Sequence, residues 1–265
     1  MRKVYEELTT AFRRNNGRLS IASYERIVSK HTTLFEDVDT LFILLQASGY
    51  PIVQDTNGFI LETYKTVYQE QKFCVIDIET NGSKPETAQV IEVGAVMLQG
   101  GKIIGKFESF VECAFLPEYI TKITGIEPTD LIDAPSRVSV LQNLRAFIDD
   151  AVFVAHNANF DYNFLNHSFE RFGLGSIGNQ KLCSIDLAKR TIKSEKYGLA
   201  YLNENLNLGV DIHHRAYSDA LTTAKLLNIL FDNIPNYVKT TDELLRFSTS
   251  SRKDRNGITK LNNIK

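Results

Sequence analysis

Val4, Leu8 and Phe12 recur four residues apart and stop at Asn15-Asn16-Gly17, which predicts an amphipathic helix closed by residues that tolerate left-handed backbone. Ile21, Tyr24, Ile27 and Val28 predict a second helix, and Val38 to Ala47 a third that ends near Gly49. Pro51-Ile52-Val53 and Phe59-Ile60-Leu61 then flank Asp55-Thr56-Asn57-Gly58. That pattern is a hairpin, because Asn-Gly accepts the positive φ of a tight turn. Three helices and a hairpin over residues 1–70 describe a small helical, winged-helix-like domain.

From Lys72 the apolar residues form strand-like runs: Phe73 to Glu79, Val90 to Leu98, and Ile103 to Glu112 across a Gly100-Gly101-Lys102 turn. Helical spacing returns at Val138, Leu141, Leu144, Phe147 and Ile148. A short strand (Val152 to Ala155) follows, then helices over Phe160 to Phe172, Asp186 to Ile192 and Asp219 to Phe231. A meander followed by alternating strands and helices predicts an α/β domain over 71–235, a mixed sheet with helices on its faces. Residues 236–265 are polar and basic, with seven Lys/Arg against three Asp/Glu, and are expected to form a flexible tail.

Charge changes the picture little elsewhere. The total is −2, and residues 1–70 hold eight Lys/Arg against nine Asp/Glu. The third predicted helix begins Glu36-Asp37-Val38-Asp39, the wrong sign for a helix meant to lie among phosphates. A protein-docking or structural role is therefore expected for the N-terminal module. Cys74, Cys113 and Cys183 are isolated and odd in number, which supports neither a disulfide framework nor a zinc site. No run approaches the ~18 apolar residues of a membrane span, and the N-terminus has no signal-peptide core, so a cytoplasmic location is expected.

Candidate chemistry begins at the stretch CVIDIETNG. On a strand, Asp77 and Glu79 share one face. Two carboxylates about 5 Å apart repel by roughly 3 kcal/mol at an effective dielectric near 20, so such a pair shares a proton or holds a cation. Asp161 follows a strand and opens a helix in VAHNANFDYNFL; His214 stands five residues before Asp219 at the head of the last helix. Singly, acids at helix starts are explained by the helix dipole, with Asn159 and Ser218 as candidate N-caps. Together, four acids and a histidine are what a two-metal hydrolytic site needs.

These segments resemble the three motifs of the DEDD exonuclease superfamily, histidine subgroup: Asp77-Ile78-Glu79-Thr80, His156-Asn157-Ala158-Asn159-Phe160-Asp161, and His214-x4-Asp219. Ile123-Thr124-Gly125-Ile126 and Asp133-Ala134-Pro135 resemble the family's loop between the first two motifs. The similarity is greatest to the proofreading exonucleases of bacterial replication, of the polymerase III epsilon type and of the Gram-positive replicative polymerase. It implies a ribonuclease H-like fold, a five-stranded mixed sheet flanked by helices, and two divalent ions, Mg²⁺ or Mn²⁺. By resemblance, Asp77 bridges both ions, Glu79 and Asp219 hold the one carrying the nucleophilic water, Asp161 positions the other, and His214 takes the water's proton. Thr80, His156, Asn157 and Phe160 are the implied substrate-binding residues. His156 and Asn157 also serve as supports for the loop ahead of Asp161, and Phe160 and Thr80 have ordinary packing and strand-end readings. Arg215 is either a phosphate contact or a solvated side chain, Asp186 a helix cap, and His213 has no role.

The implied reaction is 3′→5′ hydrolysis of DNA from a single-stranded or frayed 3′ end, releasing 5′-mononucleotides, with the replicative polymerase catalytic subunit as the implied partner. A 3′→5′ RNA exonuclease is the close rival, since nothing in these motifs reads a 2′-hydroxyl. A non-enzymatic DNA-binding regulator built on residues 1–70 is the reading of a different class.

Overall fold

The computed structural model describes residues 1–31, 38–210 and 214–250. The N-terminal part runs α1 (Arg2–Arg14), β1 (Arg18–Leu19), α2 (Ile21–Val28), α3 (Val38–Ala47), β2 (Ile52–Asp55) and β3 (Gly58–Leu61). The apolar stripes close a separate core, in which Leu8, Phe12, Tyr24, Val28, Leu45 and Leu61 are fully buried. Ser20 caps α2 by accepting a hydrogen bond from the Ser23 amide. The hairpin turns at Asp55 and Gly58 as expected, and β3 lies between β1 and β2 in an antiparallel sheet. Glu36 and Asp37 lie outside the described residues.

After the single turn α4 (Glu62–Lys65), the larger part adds β4 (Phe73–Thr80), β5 (Val90–Gln99), β6 (Lys102–Phe110), α5 (Glu118–Thr124), α6 (Pro128–Ile132) and α7 (Arg137–Ile148). It continues with β7 (Val152–Ala155), α8 (Ala158–Arg171), β8 (Lys181–Cys183), α9 (Ser184–Thr191), α10 (Leu199–Asn205), α11 (Ala216–Asp232) and α12 (Thr241–Thr249). The sheet order is β6-β5-β4-β7-β8, with β4 antiparallel to β5 and parallel to β7. This is the five-stranded mixed sheet with helices on both faces. The strand alternation sorts two cores. Phe73 and Val75 of β4 and Val96 and Leu98 of β5 pack beneath α11, while Cys74, Ile76, Val93 and Ala95 face α7 and α8. Burial on both faces explains why β4 and β5 read as continuous apolar runs.

The structure adds the short elements β1, α4, α5, α6 and α10, which the pattern reading did not predict, and departs from that reading in two further places. The fifth strand, β8, has three residues, too few for any periodic signal. The expected flexible tail is a correction: its described part, residues 236–250, contains α12, whose Leu244, Leu245 and Phe247 join the core beneath α11. Thr240 and Glu243 form a reciprocal capping box that starts this helix. Among the described residues, no helix is long and apolar enough to cross a membrane.

The N-terminal part is bolted to the sheet domain by buried polar contacts. Asp242 of α12, with no exposed surface, accepts from Arg13 of α1 at 2.7 Å and pairs with Arg246 at 3.1 Å. Arg145 of α7 donates to the Ser48 carbonyl at 3.1 Å and the Ser176 carbonyl at 3.2 Å, with its guanidinium over the Phe169 ring. Gly49 has φ +83, and a Cβ there would strike the Asn179 side chain, so glycine is required twice over. Replacing Arg145 with Ala should cost about 2–3 kcal/mol, from lost charged hydrogen bonds and stranded carbonyls. The check is a fall in the urea midpoint with an unchanged slope.

Candidate active site

Odd-numbered residues of β4 and even-numbered residues of β5 point toward α11, so Asp77 and Glu79 emerge there, opposite Gly94 and Glu92 in the cross-strand register. Gly94 decides how close α11 can come. A Cβ there would collide with the Ala216 and Tyr217 backbone, so only glycine lets the helix start lie on the sheet. The consequence is a convergence of carboxylates. Oxygens of Asp77, Glu79 and Asp219 lie within 4.8 Å of one another. Asp161, 4% exposed in the first turn of α8, stands outside that triplet but close enough for its charge to act on Asp77 and Glu79.

The electrostatics are those of a site built for a cation. Burial, then the charges of Asp161, Asp219, Glu79 and Glu92, pushes Asp77 well above the usual carboxylate range. Burial, followed by Asp219, Glu92 and Asp161, pushes Glu79 up to about 8, partly relieved by Arg215. Burial raises Asp161 to about 7 against the opposing hydrogen bonds of its own amide and that of Ile78. Asp219 is raised by burial, with His214 opposing, and its Oδ1 is sealed from solvent with no hydrogen-bond partner among the described residues. An orphaned buried oxygen in an all-oxygen cluster fits a hard divalent ion such as Mg²⁺ or Mn²⁺.

The other residues singled out from sequence take varied positions. His214 is exposed, adopts φ +49 and lies near enough to Asp219 to influence its charge. Thr80 donates its hydroxyl to the Gly82 carbonyl at 2.9 Å, closing its own turn. His156 holds the loop ahead of α8: Nε2 donates to the Tyr197 carbonyl and Nδ1 meets the Ser184 hydroxyl, both at 2.8 Å. No ring nitrogen is left for a substrate, and burial lowers this imidazole to about 4, so it stays neutral. Asn157, exposed with φ +83, is the N-cap residue of α8, and Arg215 that of α11; the expected caps Asn159 and Ser218 lie inside the helices. Phe160, 38% exposed beside Phe164, is not a core residue. His213 lies outside the described residues.

Sequence reasoning missed Glu92. It is 1% exposed and receives Arg215 through two guanidinium nitrogens, at 2.7 and 3.0 Å, together with the Ala216 amide at 3.0 Å. An acid inside the apolar run Val90-Ile91-Glu92-Val93 was the available signal. Arg215 is thus not merely solvated, because its Nε and Nη2 are committed to Glu92.

A five-stranded sheet whose central strand delivers two carboxylates to a third on the last long helix defines a nuclease fold, and comparison with known families agrees. The RNase_T model, described as Exonuclease, matches residues 74–227, and the chain belongs to that family, within the DEDD exonucleases. It is similar to PolC-type DNA polymerase III of Staphylococcus haemolyticus, 34% identical over 222 residues, and of Staphylococcus aureus strain RF122, 35% identical over 176 residues. Those matches cover 80% and 65% of this chain but 15% and 12% of the relatives, so the chain spans less than a sixth of their length. In fold it is similar to exonuclease X in complex with 5′ overhanging duplex DNA, with a TM-score of 0.55 and 24% identity over 66% of this chain and 99% of that one. It is also similar to Escherichia coli exonuclease I in complex with a dT13 oligonucleotide, with a TM-score of 0.56 and 14% identity over 62% of this chain and 42% of that one.

The raised acids set a pH dependence. A group whose folded pKa exceeds its unfolded value stabilises the fold below the unfolded value, and that contribution is lost as pH rises through the folded one. For Asp161 and Glu79, moved from 3.8 to about 7 and from 4.5 to about 8, the window runs from pH 4 to 8. The chelator-treated protein should therefore lose thermal stability across that window, and added Mg²⁺ or Mn²⁺ should restore more at pH 8 than at pH 5. Calorimetric melting curves with and without the ion measure both effects.

Proposed function

We propose that the chain is a 3′→5′ DNA exonuclease of the proofreading type, which hydrolyses the terminal phosphodiester and releases 5′-mononucleotides. The observation that carries this reading is the carboxylate triplet of Asp77, Glu79 and Asp219, with Asp161 beside it and His214 at its rim. Asp77, Glu79, Asp161 and Asp219 would hold two divalent ions, Mg²⁺ or Mn²⁺, which when bound would supply activation of a water and charge stabilisation at the phosphate. His214 accepts the proton of the attacking water as the new P–O bond forms and the bond to the 3′-oxygen breaks. Asn157 and Phe160, both exposed at the start of α8, and Thr80 at the end of β4 line the approach of the 3′ end. The aromatic face of Phe160 suits stacking on an unpaired base.

DNA is favoured as substrate because the similar staphylococcal proteins are DNA polymerases and the structural neighbours were captured with DNA. The same kinship supports a cytoplasmic role in replication or repair in concert with a replicative polymerase catalytic subunit. The winged-helix-like residues 1–70 serve as a docking module for a protein partner.

Replacing Asp77 with Ala should lower nuclease turnover at least about a thousand-fold while leaving the circular dichroism spectrum intact. Removing one of several mutually repelling buried acids should also raise the melting temperature of the metal-free protein. Matched DNA and RNA oligonucleotides labelled at the 5′ end test substrate and direction together. A ladder shortening from the 3′ end on DNA is expected. Preference for RNA would assign the chain to RNA turnover, and degradation from the 5′ end, or an active Asp77→Ala protein, would refute the mechanism.

A further inference from the structure

Glu92 is not among the carboxylates that hold ions in this reading, yet it stands opposite Glu79 on the neighbouring strand with 1% of its surface exposed. A carboxylate so placed is costly unless its oxygens are fully engaged, and here they are. Oε1 accepts from Nη2 and Nε of Arg215 at 2.7 and 3.0 Å, and Oε2 accepts from the Ala216 amide at 3.0 Å. Those three donors belong to the first residues of α11 and the residue before it. Asp219 lies in the first turn of that helix. His214 immediately precedes Arg215 in a left-handed conformation, φ +49, which a non-glycine residue adopts only at a cost. Something must hold that conformation.

Two residues of β5 do so from the same face. Gly94 lets the backbone of Ala216 and Tyr217 settle on the sheet, and Glu92, two residues away, grips the chain where it turns into α11. The guanidinium of Arg215 also lies 5.0 Å from the centroid of the Phe110 ring, so its plane is bounded on one side and its fork is filled on the other. Arg215 thus commits Nε and Nη2 to Glu92 while its side chain stays 38% exposed.

We propose that Glu92 and Arg215 are positioning residues of the exonuclease site: their forked ion pair holds His214 in its left-handed conformation and sets Asp219 against Asp77 and Glu79. The proposal rests on the exonuclease reading for its activity arm. The pair has an electrostatic duty too, since the arginine neutralises an additional buried negative charge behind the ion ligands. A lysine lacks the planar fork and satisfies only part of the geometry.

The test uses the full chain with Arg215→Ala, Arg215→Lys and Glu92→Gln. Arg215→Ala should lower kcat about a hundred-fold, the scale expected of an ångström-sized misplacement, with KM changed by less than about three-fold. Arg215→Lys and Glu92→Gln should each recover about ten-fold of that loss, because both keep part of the hydrogen bonding. Hydrogen–deuterium exchange should rise in the peptide spanning 214–219 and stay unchanged across β4, β7 and α8. An unchanged kcat overturns the proposal. So does a fall in kcat with unchanged exchange at 214–219, which would put Arg215 on the substrate, or exchange rising throughout the chain, which would make the pair merely structural. If Arg215→Ala does not fold, the Lys and Gln variants carry the same comparison. A wild-type chain without metal-dependent nuclease activity would refute the exonuclease reading, while the exchange measurement would still decide whether the pair holds this turn.

Discussion

Mutual repulsion among buried carboxylates is the term that the surrounding structure must offset. Asp77 and Glu79, half-buried, converge with buried Asp161 and Asp219, and each is driven toward its protonated form. No hydrophobic contact made by these side chains compensates for that. The offset comes from the scaffold: β4 is buried on both faces between two cores, so its end cannot move aside to separate the charges. The result is a preorganised anionic pocket whose relief is a divalent cation.

The same constraint explains the features of β5 and α11 that otherwise look unrelated. A glycine in the middle of a central strand weakens it, yet Gly94 is needed for the helix start to approach. A buried glutamate beside an acidic cluster adds repulsion, yet Glu92 with Arg215 and the Ala216 amide fixes where α11 begins. Local cost at both positions is exchanged for placement of Asp219. The N-terminal part belongs to the same rigid body through Arg13–Asp242 and Arg145–Ser48, which ties α1 and α3 to helices that pack on the sheet. A partner bound to residues 1–70 would therefore be held at a set distance from the carboxylates.

Much of this was legible before folding. The amphipathic stripes of α1 to α3, the Asn-Gly hairpin and the apolar runs of β4, β5 and β7 all follow from side-chain period and turn chemistry, which are local properties. Asp77 and Glu79 stood out because acids abruptly end an apolar run, and Asp161 and Asp219 because each opens a helix. What was not legible depended on distant partners. Strand β8 is defined by pairing with β7, and α12 is held by buried Leu244, Leu245 and Phe247 within a segment whose composition reads as a tail. His156 read both as a substrate contact and as a support for the loop ahead of Asp161, and its two internal hydrogen bonds match the supporting role.

The sequence by itself determined the order of elements and the identity of the acids, because hydrophobic period, turn residues and spacing act over a few positions along the chain. The tertiary structure alone decided that three of those acids share one 4.8 Å neighbourhood, that Glu92 is buried opposite Glu79 on the next strand, and that Arg215 pairs with it. Those facts depend on cross-strand register, which sets Asp77 against Gly94 and Glu79 against Glu92, and on how closely α11 packs against Gly94, a contact between residues more than a hundred positions apart that the linear pattern does not encode.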